Sequence, residues 1–188
     1  MVLAGPATGL ARLVTLYGAQ PQLMSKVKQL VVAVGAYPTG SADPSIKADV
    51  AAARTLFAEW PTALVAVGTE VGAALPYPAS SIEADFAWAP AHPVVDAYRL
   101  VKPMPYDAPA PALAALVHAV HAAEGYFKLS DPGVITVADD GRTQFTPKAG
   151  GRHRHLIVDP AQAEKVVALY REMVAAQPAA RGGRRGGD

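Results

Sequence analysis

The chain of 188 residues contains no cysteine, which excludes disulfide bonds and thiolate metal ligands. It also has no apolar run near the roughly 20 residues that a membrane-spanning helix requires. Charged residues make up 18% of the sequence and the formal net charge is +1, so no basic, nucleic-acid-binding surface is indicated. Hydrophobic residues reach 51%, which is enough for the core of one domain. The composition therefore predicts a globular domain without a nucleic-acid or membrane partner.

The order of apolar segments predicts an α/β fold. Residues 30–35 and 63–68 are apolar without alternation and end in glycine, which is typical of buried parallel strands. Between them, residues 49–60 predict a helix that begins after Asp49 as N-cap and ends before Pro61. A strand–helix–strand unit implies parallel strands with a right-handed crossover. We therefore expect a mostly parallel, Rossmann-like sheet flanked by helices.

The pattern beyond Gly68 is less regular. Prolines interrupt it, and they predict a long loop with a short helix over residues 92–100. A longer helix is expected over residues 108–120. Between it and a final helix that ends near Met173, the turn Asp139-Asp140-Gly141 predicts a β-hairpin.

The C-terminal third adds one more strand candidate, residues 153–158. The alternating Arg152-His153-Arg154-His155 predicts a solvent-facing surface at its start. We assign residues 1–177 to the domain. Residues 178–188 are rich in arginine and glycine and are predicted to be a disordered tail.

Three glycine-containing turns follow predicted strands and are the first candidates for a binding site. They are Gly5–Thr8, Gly35–Ser41 and Gly68–Glu70. Because ligands of open α/β sheets collect at the carboxyl ends of the strands, these turns are candidate walls of a pocket. Turn chemistry alone also explains glycine at such positions.

Taken in order, these segments resemble the C-terminal part of the inosine/uridine-preferring nucleoside hydrolase superfamily. Leu3–Ala11 resembles the family's glycine-proline-leucine-threonine-asparagine turn, and Val31–Ser41 resembles the strand and glycine-asparagine loop that follow. Lys47–Arg54 resembles the helix start aspartate-proline-glutamate-alanine-alanine. Pro105-Tyr106-Asp107 resembles the segment that supplies the family's last metal-binding aspartate. The resemblance implies a nucleoside-hydrolase-like fold.

The resemblance also implies an activity, namely calcium-assisted hydrolysis of the N-glycosidic bond of a ribonucleoside. A hard cation prefers oxygen ligands and lowers the pKa of bound water. Asp107 and the backbone carbonyl of Ala4 stand at metal-binding positions. Tyr106 stands where some members have a histidine that protonates the leaving base. The positions that bind the sugar are occupied by Ser41, Asp43 and Ser45.

The sequence departs from the family at its metal site. The aspartate-rich motif Asp-x-Asp-x-x-x-Asp-Asp does not occur in the chain. One aspartate and one carbonyl cannot supply the six to eight oxygens that calcium takes, so we expect poor calcium binding and weak or no activity from this chain alone. We interpret the chain as incomplete at its N terminus, with an apolar strand edge that favours a homo-oligomer.

Two other interpretations remain open. The first is a noncatalytic interaction or ligand-binding module derived from the same fold, which the missing aspartates and the altered sugar loop favour. The second, weaker one is an unrelated doubly wound domain whose glycine turns bind phosphate at a helix N-terminus. No secretory signal is visible in the chain, and the compartment is left open.

Overall fold

The computed structural model describes residues 1–17, 22, 26–89 and 91–178. Within these residues, strands and helices alternate in the first half, and strands dominate after residue 126. The strands are β1 (Val2–Leu3), β2 (Gln29–Val32), β3 (Ala63–Ala66), β4 (Phe127–Leu129), β5 (Gly133–Val137), β6 (Thr143–Pro147) and β7 (His153–Val158). The helices are α1 (Thr8–Tyr17), α2 (Pro44–Lys47), α3 (Val50–Glu59), α4 (Thr69–Ala74), α5 (Ala79–Ala84), α6 (Pro93–Val101), α7 (Pro111–Val120) and α8 (Ala163–Val174). The predicted tail, apart from Pro178, lies outside the described residues.

The described strands form one mixed sheet in the order β1-β2-β3-β7-β5-β6, with β4 paired to β7. Strands β1, β2, β3 and β7 are mutually parallel, and β5 and β6 form the predicted antiparallel hairpin. The prediction of a mostly parallel α/β sheet with a C-terminal hairpin is confirmed. None of the helices in the described part of the chain has the length and hydropathy that a membrane span needs.

The strand register brings three turns together. Leu3 pairs with Val32, and Val32 pairs with Ala66. The strands β1, β2 and β3 therefore end at the same level, and the chain segments that follow them lie next to one another at one edge of the sheet.

Two apolar clusters cover the two faces of the sheet. On β2, the side chains of Leu30 and Val32 pack in one cluster, and Val31 packs in the other. The first cluster includes Phe57 and Trp60 at the end of α3. The second is formed with α4, α7 and α8, and it includes the fully buried ring of Tyr170.

The structure corrects two predictions. The predicted loop after Gly68 contains the short helices α4 and α5. The predicted solvent-facing pattern at the start of β7 is wrong, because His153 and His155 are 4% and 8% exposed. His153 and His155 lie on the same face of β7, where their rings pack against Phe57 and Phe145 of the first apolar cluster.

Candidate functional site

Asp43 organises the segment that follows β2. Its carboxylate is buried and accepts three backbone N–H groups, from Gly35 at 3.0 Å, from Ser45 at 2.8 Å and from Ile46 at 3.2 Å. The last two bonds cap the N-terminus of α2. Asp43 thus links Gly35, the first residue of the turn after β2, to helix α2, which follows this turn.

Gly35 must be glycine for two reasons. Its φ is +84°, a left-handed conformation that side chains disfavour. A Cβ at this position would also lie 2.7 Å from the hydroxyl oxygens of Thr143 and Tyr37. At Gly35, the backbone of the Gly35–Ser41 turn therefore lies directly against the hairpin, and no side chain fits between them.

The turns after β2 and β3 are joined by hydrogen bonds. The Thr69 N–H donates to the Gly35 carbonyl at 2.9 Å, and the Tyr37 N–H donates to Glu70 Oε2 at 3.1 Å. The Tyr37 hydroxyl donates to the Val34 carbonyl at 3.1 Å, and burial raises the pKa of this phenol well above its usual range. Glu70 is therefore an acceptor that holds the turn.

The β5–β6 hairpin supports the same turn from behind. Thr143 Oγ1 accepts the Ala36 N–H at 3.1 Å and donates to the Ala36 carbonyl at 3.0 Å. The Phe145 N–H donates to the Pro38 carbonyl at 2.8 Å. The sequence did not reveal this role of Thr143, because 107 residues separate it from Ala36 and no local motif links them.

The turn after β1 is joined to α3. Thr8 Oγ1 donates to Asp49 Oδ2 at 2.6 Å, and the other oxygen of Asp49 accepts the Ala52 N–H at 3.0 Å as the predicted N-cap. The Thr8 hydrogen bond, followed by the one from Ala52, lowers the pKa of Asp49. Ala4, expected to offer a carbonyl to a metal, is exposed at the end of β1.

Asp107 is exposed, and its carboxylate caps a distant helix. Oδ1 accepts the N–H of Ala79, the first residue of α5, at 2.9 Å. Next to it, Ala108 exchanges two backbone hydrogen bonds with Tyr77, at 2.8 and 3.0 Å. Because the residue before α5 is Pro78, which has no capping side chain, Asp107 supplies the acceptor that this helix lacks.

Tyr106 belongs to an aromatic cluster beside Asp107. Its ring stacks on Tyr98 with a centroid distance of 5.5 Å, and its hydroxyl donates to the Tyr98 carbonyl at 2.8 Å. The ammonium of Lys102 lies 4.4 Å from the centre of the Tyr106 ring. Burial, with Tyr106 and Tyr77 adding to it, raises the pKa of Tyr98 to about 12.

Apart from Ala4, the predicted site residues fall into two groups. The first group contains the residues predicted to bind the sugar. Asp43 and Ser45 lie at the start of α2, and Ser41, which is exposed, lies just before them in the chain. Tyr106 and Asp107 form the second group, before α7. Among the described residues, no group of three or more aspartate, glutamate or histidine side chains is placed to hold a metal ion.

Comparisons with known proteins show which solved structures share this fold. No protein-family model matches the chain, and no curated protein sequence matches it. Solved structures do match. A plant nucleoside hydrolase superimposes with a TM-score of 0.69 at 20% sequence identity, and an inosine-uridine preferring nucleoside hydrolase from Bacillus anthracis superimposes with a TM-score of 0.62 at 19% identity. An inosine-guanosine nucleoside hydrolase superimposes with a TM-score of 0.70 at 15% identity.

The matches extend over almost the whole chain but over part of each relative. They cover 94%, 92% and 92% of this chain, and 62%, 60% and 60% of the matched chains, respectively. The chain thus spans about 60% of the length of these solved structures. The mixed, mostly parallel sheet and its flanking helices match these solved structures, and this chain has the nucleoside hydrolase fold.

Proposed function

We propose that the chain binds a ribonucleoside at the carboxyl edge of its sheet and supplies part of a nucleoside-hydrolase-like site. The observation that carries the proposal is the meeting of the turns after β1, β2 and β3 at one level, within a nucleoside hydrolase fold. The reaction of such a site breaks the bond between C1′ of the sugar and a nitrogen of the base. The oxygen of water joins C1′, and the base leaves with a proton.

The sugar hydroxyls are expected to contact the start of α2. Ser41 and Ser45 each offer a hydroxyl that donates and accepts. Asp43 already accepts three N–H groups, so of the roughly four acceptor positions of a carboxylate only one remains for the sugar. Asp43 therefore acts mainly by fixing the turn that carries Ser41.

Tyr106 is the proposed donor to the leaving base. Its hydroxyl proton is directed at the Tyr98 carbonyl at 2.8 Å. To protonate a base, the phenol must exchange this hydrogen bond for one to a base nitrogen. The stacked ring of Tyr98 keeps the Tyr106 ring in place during that exchange.

The donor set of this chain does not fit a calcium ion. Asp107 and the exposed Ala4 carbonyl supply two kinds of oxygen ligand, and one Asp107 oxygen already accepts the Ala79 N–H. Calcium takes six to eight oxygens. We therefore propose that this chain alone binds calcium poorly and hydrolyses nucleosides weakly or not at all.

A noncatalytic ligand-binding module is the second candidate. Backbone N–H groups donate hydrogen bonds to Asp43, Glu70 and Asp107. These bonds favour the second candidate, because each carboxylate then stabilises the fold. Both candidates predict nucleoside binding, and only the first allows slow release of the base.

Thermal unfolding with inosine or uridine, with and without calcium chloride, tests the proposal. We expect the nucleoside to raise Tm, because a ligand of the native state stabilises it, and calcium to add no further shift. Chromatography of the same samples detects free base. Base release at a calcium-dependent rate would overturn the proposed poor binding of calcium and the noncatalytic candidate.

A paired variant locates the binding site. Replacing Ser41 and Ser45 by alanine is expected to remove the nucleoside-dependent rise in Tm. Thr146→Ala, which removes an exposed hydroxyl from β6, is the control and should keep it. If neither nucleoside raises the Tm of the parent protein, the proposed binding is wrong.

A further inference from the structure

A cavity lies away from the candidate site described above. It has a volume of about 480 Å³ and runs along β5, between α3 and the turn of residues 148–151. His153, the first residue of β7, closes one end. None of the predicted site residues lines it.

The charged side chains that line this cavity are all cationic. They are Arg54, Lys148 and Arg152, and no aspartate or glutamate is among the described lining residues. Arg54 is partly neutralised, because it forms an ion pair of 2.7 Å with Asp139. Within the described part of the chain, Lys148 and Arg152 form no ion pair. The cavity therefore carries an excess of positive charge that neighbouring side chains do not balance.

The two cations without an ion pair lie at either end of a rigid turn, and Arg152 Nη1 donates one hydrogen bond, to the Pro61 carbonyl at 3.3 Å. The Lys148 N–H donates to the Pro132 carbonyl, and the Gly151 N–H donates to the Lys148 carbonyl, both at 2.9 Å. A Cβ at Gly151 would collide with the backbone of Gly133, so the turn rests directly on the start of β5. The backbone that carries the cations is thus fixed before any ligand arrives.

The floor of the cavity is apolar. Phe57, Ile135 and Val137 belong to the buried core cluster and line it. His153 presents an uncharged ring, because burial, the largest cause, lowers the pKa of its imidazole. Its Nδ1 accepts the Ile135 N–H at 2.9 Å, so the ring is held against β5. An apolar floor beside cationic side chains suits a ligand with both characters.

We propose that this cavity binds a small amphipathic anion, with its apolar body on the floor next to Phe57 and its phosphate or carboxylate group between Lys148 and Arg152. The site is independent of nucleoside binding at the carboxyl edge. The volume is within the range of small-molecule sites. The shared chemistry of the ligand is an aryl or alkyl body that carries one anionic group.

Titration of the ¹⁵N-labelled protein with phenyl phosphate, followed by amide NMR, tests the proposal. We expect saturable shifts of the Gly133, Gly150 and Gly151 amides. Benzoate distinguishes a carboxylate from a phosphate ligand, and binding of either supports the proposal. Inorganic phosphate lacks the apolar body and benzyl alcohol lacks the charge, so each should bind at least about tenfold more weakly than phenyl phosphate, a loss of about 1.4 kcal/mol.

The variant K148A/R152A is expected to weaken phenyl phosphate binding at least about tenfold. The charge-matched control R99A/K165A removes two exposed cations elsewhere and should bind as the parent does. Absence of shifts at these glycines, binding of inorganic phosphate or benzyl alcohol as tight as that of phenyl phosphate, or unchanged affinity in K148A/R152A would each overturn the proposal.

Discussion

Backbone N–H groups donate to the three carboxylates Asp43, Glu70 and Asp107. Asp43 accepts three N–H groups, whereas Glu70 and Asp107 accept one each. A carboxylate has roughly four acceptor positions, so Asp43 has the least capacity for a ligand and Asp107 keeps most of its own. Asp107 is also exposed, which leaves its free oxygen accessible.

Two substitutions of Asp107 separate its capping role from its charge. Asp107→Ala removes the acceptor for the Ala79 N–H and should lower the free energy of unfolding by about 1 kcal/mol. Asp107→Asn keeps a carbonyl oxygen at the same place and should lose much less. Urea unfolding of both variants provides the measurement. Equal losses would show that the hydrogen bond to α5 does not stabilise the fold.

At the scale of elements, the hairpin and the Gly35–Ser41 turn form one unit. Thr143 is 2% exposed and its hydroxyl satisfies both the N–H and the carbonyl of Ala36. Buried backbone groups that lose their partners cost free energy, since they gave up water on folding. The shape of the proposed sugar site thus depends on a side chain of β6.

Thr143→Val tests this dependence, because valine has nearly the same shape and no hydroxyl. We expect the free energy of unfolding to fall by about 1 to 3 kcal/mol and the amide NMR signals of residues 36–41 to shift. Thr146→Val, at an exposed position of the same strand, is the matched control and should change little. Unshifted signals in Thr143→Val would contradict the coupling.

Elements with local signals were predictable from the sequence, and elements held by distant residues were not. The bounds of α3 follow from Asp49, which caps it, and from Pro61, which cannot continue it. In contrast, the six-residue helices α4 and α5 follow Gly68 and Pro78, neither of which provides a capping side chain. Contacts from far along the chain stabilise them, so their sequences alone resembled a loop.

The candidate site likewise combines features that the local sequence indicates with features that depend on distant residues. The sugar-binding role of Ser41, Asp43 and Ser45 comes from the resemblance and stays a prediction, whereas the turn before α2 that carries them was predictable. The contact of Thr143 with Ala36 was not, since it depends on how the hairpin docks. The burial of His153 and His155 also depends on the position of β7 within the sheet, which alternation along four residues cannot reveal.

At the scale of the whole molecule, two buried imidazoles make stability depend on pH. Burial lowers the pKa of His118 and of His153 in the folded state. Between these lowered values and the usual value near 6.5, the unfolded chain binds more protons than the folded one. The free energy of unfolding should therefore fall as the pH drops below about 6.5, by at most about 1.4 kcal/mol per pH unit for each imidazole.

Urea unfolding between pH 5 and pH 7.5 measures this dependence. His153→Asn replaces the ring by a group that can accept the Ile135 N–H without titrating, so its slope should be smaller than that of the parent. The same slope in both proteins would contradict the assignment to His153. Carboxylates titrate mainly below this window and do not obscure the comparison.

The hydrogen bonds between Thr143 and Ala36 have a consequence for how the protein is made. They span 107 residues, and β7, which lies beside β3, comes later still in the chain. On the ribosome, β1, β2 and β3 emerge long before the segments that complete the sheet around them. The proposed nucleoside pocket therefore acquires its final form only after the β5–β6 hairpin has been made, and nascent chains that stop before residue 143 should be unable to recognise the ligand.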